Sequence, residues 1–193
     1  MKKPANETRQ HILSVARALM TQKGYTAVGL AEIVAAAGVP KGSFYYYFKS
    51  KDDFGQALLD EYFADYLSTV DALLSAKGPA AERLLGYFQY WSQSQANEVL
   101  DNKCLVVKLG PEVCDLSEDM RHLLKGGTDK IIKRLVRCVE QGTADGSITT
   151  AVAPQVLAES LYELWLGASL LAKLNKSTGP FERAVETSKR LLE

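Results

Sequence analysis

The feature that most constrains this chain is the triplet Gly38-Val39-Pro40, set between two short stretches of helical periodicity. Before it, Leu30, Ile33, Val34 and Ala37 recur at the spacing of one helix face. After it, Phe44 and Phe48 stand four apart and share a face. Gly38 can take positive φ in a tight turn. Pro40 ends the preceding helix and suits the first turn of the next. Helix, glycine turn and short helix, Leu30–Ala36 then Lys41–Tyr47, make a helix-turn-helix, whose second helix needs only to enter a DNA major groove.

The rest of the chain also reads as helix. Ile12, Val15, Ala16 and Leu19 form an apolar stripe on a first helix over 7–23, with Asn6 as its cap and Gly24 as its left-handed end. Ser50-x-x-Asp53 opens a long fourth helix as a capping box. Further helices are expected over 80–97, 103–109, 117–141, 154–173 and 180–192, with breaks at Gly78-Pro79, Gly110-Pro111, 142–153 and 177–180. The expected fold class is all-α: a three-helix helix-turn-helix domain over 1–50, then a helical dimerisation and sensing domain over 51–193.

Charge follows the same division. Residues 1–51 carry eight basic and two acidic side chains, net +6, leaving −6 for the remainder of a chain that is neutral overall. A basic head on an acidic body points to a polyanionic partner for the head alone. No signal-type apolar run opens the chain, and the stretch Leu164–Ala172 is too short to span a bilayer, so a cytoplasmic protein without a membrane partner is expected. Three cysteines, an odd number, are expected as free thiols. Phosphate-binding glycine loops, nucleophile elbows and metal-binding His or Cys pairs are absent from the sequence, so no enzyme, metal or cofactor is expected.

On the second short helix Phe44 and Phe48 should pack inward, leaving Lys41, Gly42, Tyr45, Tyr46 and Lys49 on the other side. Lysines supply charge, tyrosines supply hydroxyls, and Gly42 lets a backbone approach. Ser43 can reach a phosphate or a base edge, and Lys51 lies in the first turn of the fourth helix. An aromatic bundle core would account for the phenylalanines. It would not account for three consecutive tyrosines flanked by Lys41, Lys49 and Lys51.

The run from Gly38 through Pro40-Lys41-Gly42-Ser43-Phe44-Tyr45-Tyr46-Tyr47-Phe48-Lys49-Ser50 to Lys51, within residues 8–54, resembles the N-terminal domain of TetR-family regulators. The resemblance implies a dimer with two DNA-reading heads and an inducer-sensing helical body. It also implies DNA contacts at Lys41, Tyr45, Tyr46 and Lys51. Gly29-Leu30 departs from the pattern, because many relatives place Ser or Thr there to hold a phosphate. In the body, Cys104–Leu109, Glu112–Arg121 and Leu164–Ala168 resemble members that respond to electrophiles and oxidants through a cysteine.

Cys104 is the leading sensor candidate. If Asn102 caps the short helix, the thiol sits in its first turn beside Lys103 and one turn from Lys108, features that favour thiolate, with Asp101 opposing them. The alternative is a buried structural cysteine. Cys114, next to Asp115, ranks second, and Cys138 reads as core. Lys173 interrupts an apolar run; it is either a buried lysine near a thiol or an ordinary snorkelling one. Leu161, Leu164, Trp165, Ala168 and Leu171 form a stripe that either builds a dimer interface or closes the subunit core, and Gly167 would permit close approach. Three partner readings follow: a DNA operator with release by cysteine modification, the same with release by a non-covalent apolar ligand, or a protein-interaction module without DNA.

Overall fold

The computed structural model describes residues 5–96 and 104–193. Among the described residues there are nine helices and no strand: α1 (Ala5–Lys23), α2 (Leu30–Ala36), α3 (Lys41–Tyr47), α4 (Lys51–Leu74), α5 (Ala80–Ala96), α6 (Leu105–Val113), α7 (Glu118–Asp145), α8 (Pro154–Asn175) and α9 (Gly179–Leu192). They form two compact units, Met1–Phe63 with Val99–Lys125, and Ala64–Glu98 with Gly126–Glu193. This division differs from a cut at residue 50. The helix carrying Cys104 at its start belongs to the same unit as the helix-turn-helix, because α6 packs on α1.

In the first unit, Ile12, Leu13 and Ala16 of α1, Ile33 of α2 and Phe44 of α3 are buried together. Phe44, Phe48 and Phe54 form a triangle of rings with centroids 4.9–5.2 Å apart, which ties α3 to the start of α4. Gly24 and Gly38 hold φ of +94° and +64°, where a side chain would be strained. Asn6 lies inside α1, not at its cap. At α4, Asp53 N–H donates to Ser50 Oγ (3.0 Å), while the Asp53 carboxylate accepts from Lys49 N (2.8 Å), one residue further back than a standard capping box.

Helix α6 does not stop at Gly110-Pro111 but runs on to Val113 with the proline inside it. Pro111 lacks the N–H that would donate to Val107. Burial offsets this loss, because Leu105, Leu109 and Val113, spaced by four, are all fully enclosed.

In the second unit, α5, α8 and α9 pack on one another around an aromatic core. The Phe88 and Trp165 rings stack 4.8 Å apart. Trp91 Nε1 donates to Ser169 Oγ (2.9 Å), and Trp165 Nε1 donates to Ser188 Oγ (3.0 Å). Each buried indole N–H therefore has a buried hydroxyl acceptor. Ser188→Ala is expected to lower unfolding free energy by about 1–3 kcal/mol, because it strands the Trp165 N–H. Denaturant titration checks this; an unchanged midpoint would contradict it.

Candidate nucleic-acid interface and sensor thiol

The candidate recognition surface is built on α3. Its inward face is Phe44, fully buried, and Phe48 follows as the C-cap residue, also buried. That anchoring turns Lys41, Gly42, Tyr45, Tyr46 and Lys49 outward, with Ser43 partly exposed. Tyr45 and Tyr46 are 52 % and 76 % exposed, a heavy exposure for aromatic rings that no packing within the chain requires. The Lys41 ammonium lies 6.0 Å from the Tyr45 ring centroid, so the two share one face. No acidic side chain occurs in α3, and the surface presents cations and hydroxyls together. Gly29 caps α2 with no side-chain hydrogen bond, as its departure from the usual Ser or Thr implies.

Lys51 is partly buried. Its Nζ donates to the Tyr25 carbonyl (2.9 Å) and lies 4.6 Å from the Tyr25 ring centroid, while Tyr25 Oη donates to the Lys51 carbonyl (2.7 Å). Tyr25 was not singled out by its pattern in the sequence. Neither was Glu112, whose carboxylate accepts the amides of Tyr25 (2.9 Å) and Thr26 (2.5 Å). Burial alone would raise the Glu112 pKa, but the hydrogen bonds from Thr26 and Tyr25, with Lys108 nearby, outweigh it and hold the carboxyl below its usual value.

Cys104 is the N-cap of α6, not a residue of its first turn, and it is 2 % exposed. Asp101, Asn102 and Lys103 lie outside the described residues. The expected lowering of the thiol pKa is reversed. Burial raises it, and hydrogen bonds from the Val107 amide, the Tyr62 hydroxyl and the Val106 amide only partly compensate. Lys108 does not assist the thiol either, because its ammonium donates to the Gln22 carbonyl (2.9 Å) on α1. Cys114 is the partly exposed C-cap of α6. Cys138 is buried, as expected, with its thiol donating to Ala80 O (3.4 Å) and its pKa raised by burial. Lys173 is exposed, so it is the ordinary lysine of the two readings; α8 turns it outward next to Leu171 and Leu174.

With the thiol pKa raised, Cys104 alkylation by a neutral reagent should climb about tenfold per pH unit past the ordinary thiol range of ~8.5. The rate would be followed in protein carrying Cys114→Ser and Cys138→Ser. A plateau near neutral pH would mean a preformed thiolate.

The α8 stripe divides in two. Leu161, Trp165 and Ala168 face the core of their own unit, where α5 and α9 cover them, and so are not surface residues of a dimer interface. Leu164 is partly exposed and Leu171 is open. The outward apolar face instead comprises Val156, Leu170, Leu171 and Leu174, each about half exposed or more. Gly167 lies on the same side, with no atom of the described residues within 4 Å of where its Cβ would be. Two-turn sums of apolar residues do not reveal which half of a wide stripe faces inward.

Residues 12–58 match the family described as bacterial regulatory proteins, tetR family, and residues 80–188 match the tetracyclin repressor-like C-terminal domain. The chain is 40 % identical over 188 residues to the HTH-type transcriptional repressor NemR of Escherichia coli K12, covering 97 % of this chain and 94 % of that protein. It is 34 % identical to the HTH-type transcriptional repressor DhaR of Mycobacterium sp. strain GP1, covering 91 % and 87 %. The crystal structure of reduced E. coli NemR superposes with a TM-score of 0.91 over 96 % of both chains. With both domains matched and near-complete coverage by relatives above 30 % identity, the chain belongs to the TetR family of bacterial regulatory proteins.

Proposed function

We propose that this protein is a cytoplasmic transcriptional repressor that binds a pseudo-palindromic operator as a homodimer and leaves it when an electrophile or oxidant modifies Cys104. The observation that carries the DNA reading is the outward Lys41, Tyr45, Tyr46 and Lys49 face of α3, held out by the buried Phe44. Two such helices about one DNA turn apart, ~34 Å, would enter successive major grooves. The similarity to named repressors supports the direction of control. Among the described residues no helix is long and apolar enough to cross a membrane.

For the signal, burial of Cys104 works in two ways. It slows reaction, since the thiol must be reached through an opened state. It also makes reaction consequential, because an adduct has no room at a position that is 2 % exposed. The adduct would push the start of α6 away from Tyr62 of α4, within the unit that carries α3. A hundredfold loss of operator affinity needs ~2.8 kcal/mol of coupling, within the usual allosteric range. The regulated genes are then expected to include an enzyme that consumes the inducer.

The raised thiol pKa also favours a second reading, in which Cys104 is packing only and a non-covalent apolar ligand releases the DNA. One experiment separates them: binding to the DNA upstream of the protein's own gene, reduced and after stoichiometric electrophile, with Cys104→Ser alongside. Release of the native protein but not of the variant supports the thiol switch. Equal release of both overturns it. A protein-interaction role without DNA predicts no binding to any duplex, whereas the DNA reading predicts that Lys41→Ala weakens binding and flattens its salt dependence.

A further inference from the structure

The operator-facing surface includes one lysine that is not free to find a phosphate for itself. Lys51 stands at the first residue of α4, and its side chain is folded back on Tyr25 rather than extended into solvent. Lys51 and Tyr25 hold each other reciprocally, ammonium to carbonyl and phenol to carbonyl. The tether is to a neutral oxygen, so the positive charge is not cancelled, and an ammonium has two further hydrogens to offer.

What holds Tyr25 is Glu112, 87 residues away in sequence. Its two carboxylate oxygens each accept one of two consecutive amides, those of Tyr25 and Thr26. This charge-assisted pair fixes the peptide orientation on both sides of Tyr25. The neighbouring Gly24 makes room for it: a Cβ there would lie 2.8 Å from Glu112 Oε2. One turn earlier on α6, Lys108 donates to the Gln22 carbonyl, so α6 grips residues 22–26 from both sides of the turn. The Glu112 charge also acts on Lys51 directly, because burial lowers the lysine pKa while the carboxylate raises it and favours the charged form.

We infer that Glu112 is a positioning residue for DNA binding: by clamping the Tyr25 and Thr26 amides it sets the Tyr25 carbonyl that aims the Lys51 ammonium at the phosphate backbone. The inference rests on the DNA-binding reading of Lys51. A glutamine at 112 keeps the size but turns an NH₂ towards one of the two amides, so one hydrogen bond and the charge are lost together. Lys51 then samples many rotamers, and its phosphate contact is made in only a fraction of them.

The test uses the full-length protein and a fluorescent random-sequence duplex, since a phosphate contact is independent of sequence. Wild type, Glu112→Gln, Lys51→Met and the double variant are titrated across a salt series. Lys51→Met should flatten the slope of log K against log salt by about 1.8, the share of one phosphate contact from each of the two heads of the dimer. Glu112→Gln should flatten it by a similar amount and weaken binding about tenfold at low salt, yet add less than about twofold in the Lys51→Met background. Tyr25→Phe, which removes only the phenol bond to Lys51, should give a smaller loss and keeps the test open if Glu112→Gln folds poorly. A merely structural grip would lower affinity equally in both backgrounds at unchanged slope, and that result overturns the positioning role alone. An unchanged slope in Lys51→Met overturns it together with the assignment of Lys51 to DNA.

Discussion

Replacing Leu170 and Leu171 together by glutamate is expected to make the protein monomeric and to weaken operator binding by two to four orders of magnitude. Both side chains are about half exposed on α8, beside the more open Leu174. Contiguous apolar surface of this kind on a folded chain marks a contact. Gly167 adds a second argument. A glycine inside a helix costs about 1 kcal/mol relative to alanine, and none of the described residues lies near enough to require one there. A partner helix crossing at that point would. Glutamates from two subunits would face one another across the crossing, where burial of unpaired charge opposes association. The effect on DNA is larger than on any single contact, because a monomer loses the second head and with it the gain from tethering two sites. Sedimentation analysis and operator titration of the same sample check both halves. A variant that stays dimeric would move the interface away from this face, and a monomer with undiminished affinity would show that one head suffices.

The second large effect is at Phe44. Its ring is fully buried and lies 5.1 Å from Phe48 and 5.2 Å from Phe54. Phe44→Ala should cost about 3–5 kcal/mol, the transfer term plus the cavity left in a close-packed site. Against a typical stability of about 5–15 kcal/mol this is a large fraction. DNA binding should fall further than stability alone implies, because the same ring holds α3 against α4 and turns Tyr45 and Tyr46 outward. Phe44→Leu, which keeps most of the volume, should recover much of both. Denaturant midpoints are to be compared at one protein concentration, since an oligomer's stability depends on it. A loss below about 1 kcal/mol would mean that the aromatic triangle is not what anchors the recognition helix.

The chemistry of Cys104 bears on the proposed signal. Burial raises the thiol pKa, so any sensing is limited by access rather than by a standing thiolate. Variants that loosen α6 should therefore speed alkylation even as they weaken DNA binding. Glu112→Gln is one such variant, because it releases the end of α6 opposite Cys104.

The helix-turn-helix was legible in the amino-acid sequence alone, and so were the limits of α2 and α3. Every determinant there is local: a left-handed glycine, a proline that cannot continue a helix, and phenylalanines four apart that must share a face. The outward tyrosines follow from the same geometry. Tertiary structure decided the rest. Whether Leu161 and Trp165 or Leu170 and Leu174 face the core depends on which side α5 and α9 cover, and a wide apolar stripe does not encode that choice. The pKa of Cys104 departs from the sequence expectation because helix-end effects are local while desolvation is set by what packs over the thiol. Lys108 and Glu112 could not be assigned from spacing, since their partners are backbone groups of Gln22, Tyr25 and Thr26, far off in sequence, and a backbone amide carries no residue signature. Local rules settle conformation and periodicity; which buried or charged group meets which distant peptide is settled only when α6 lies down on α1.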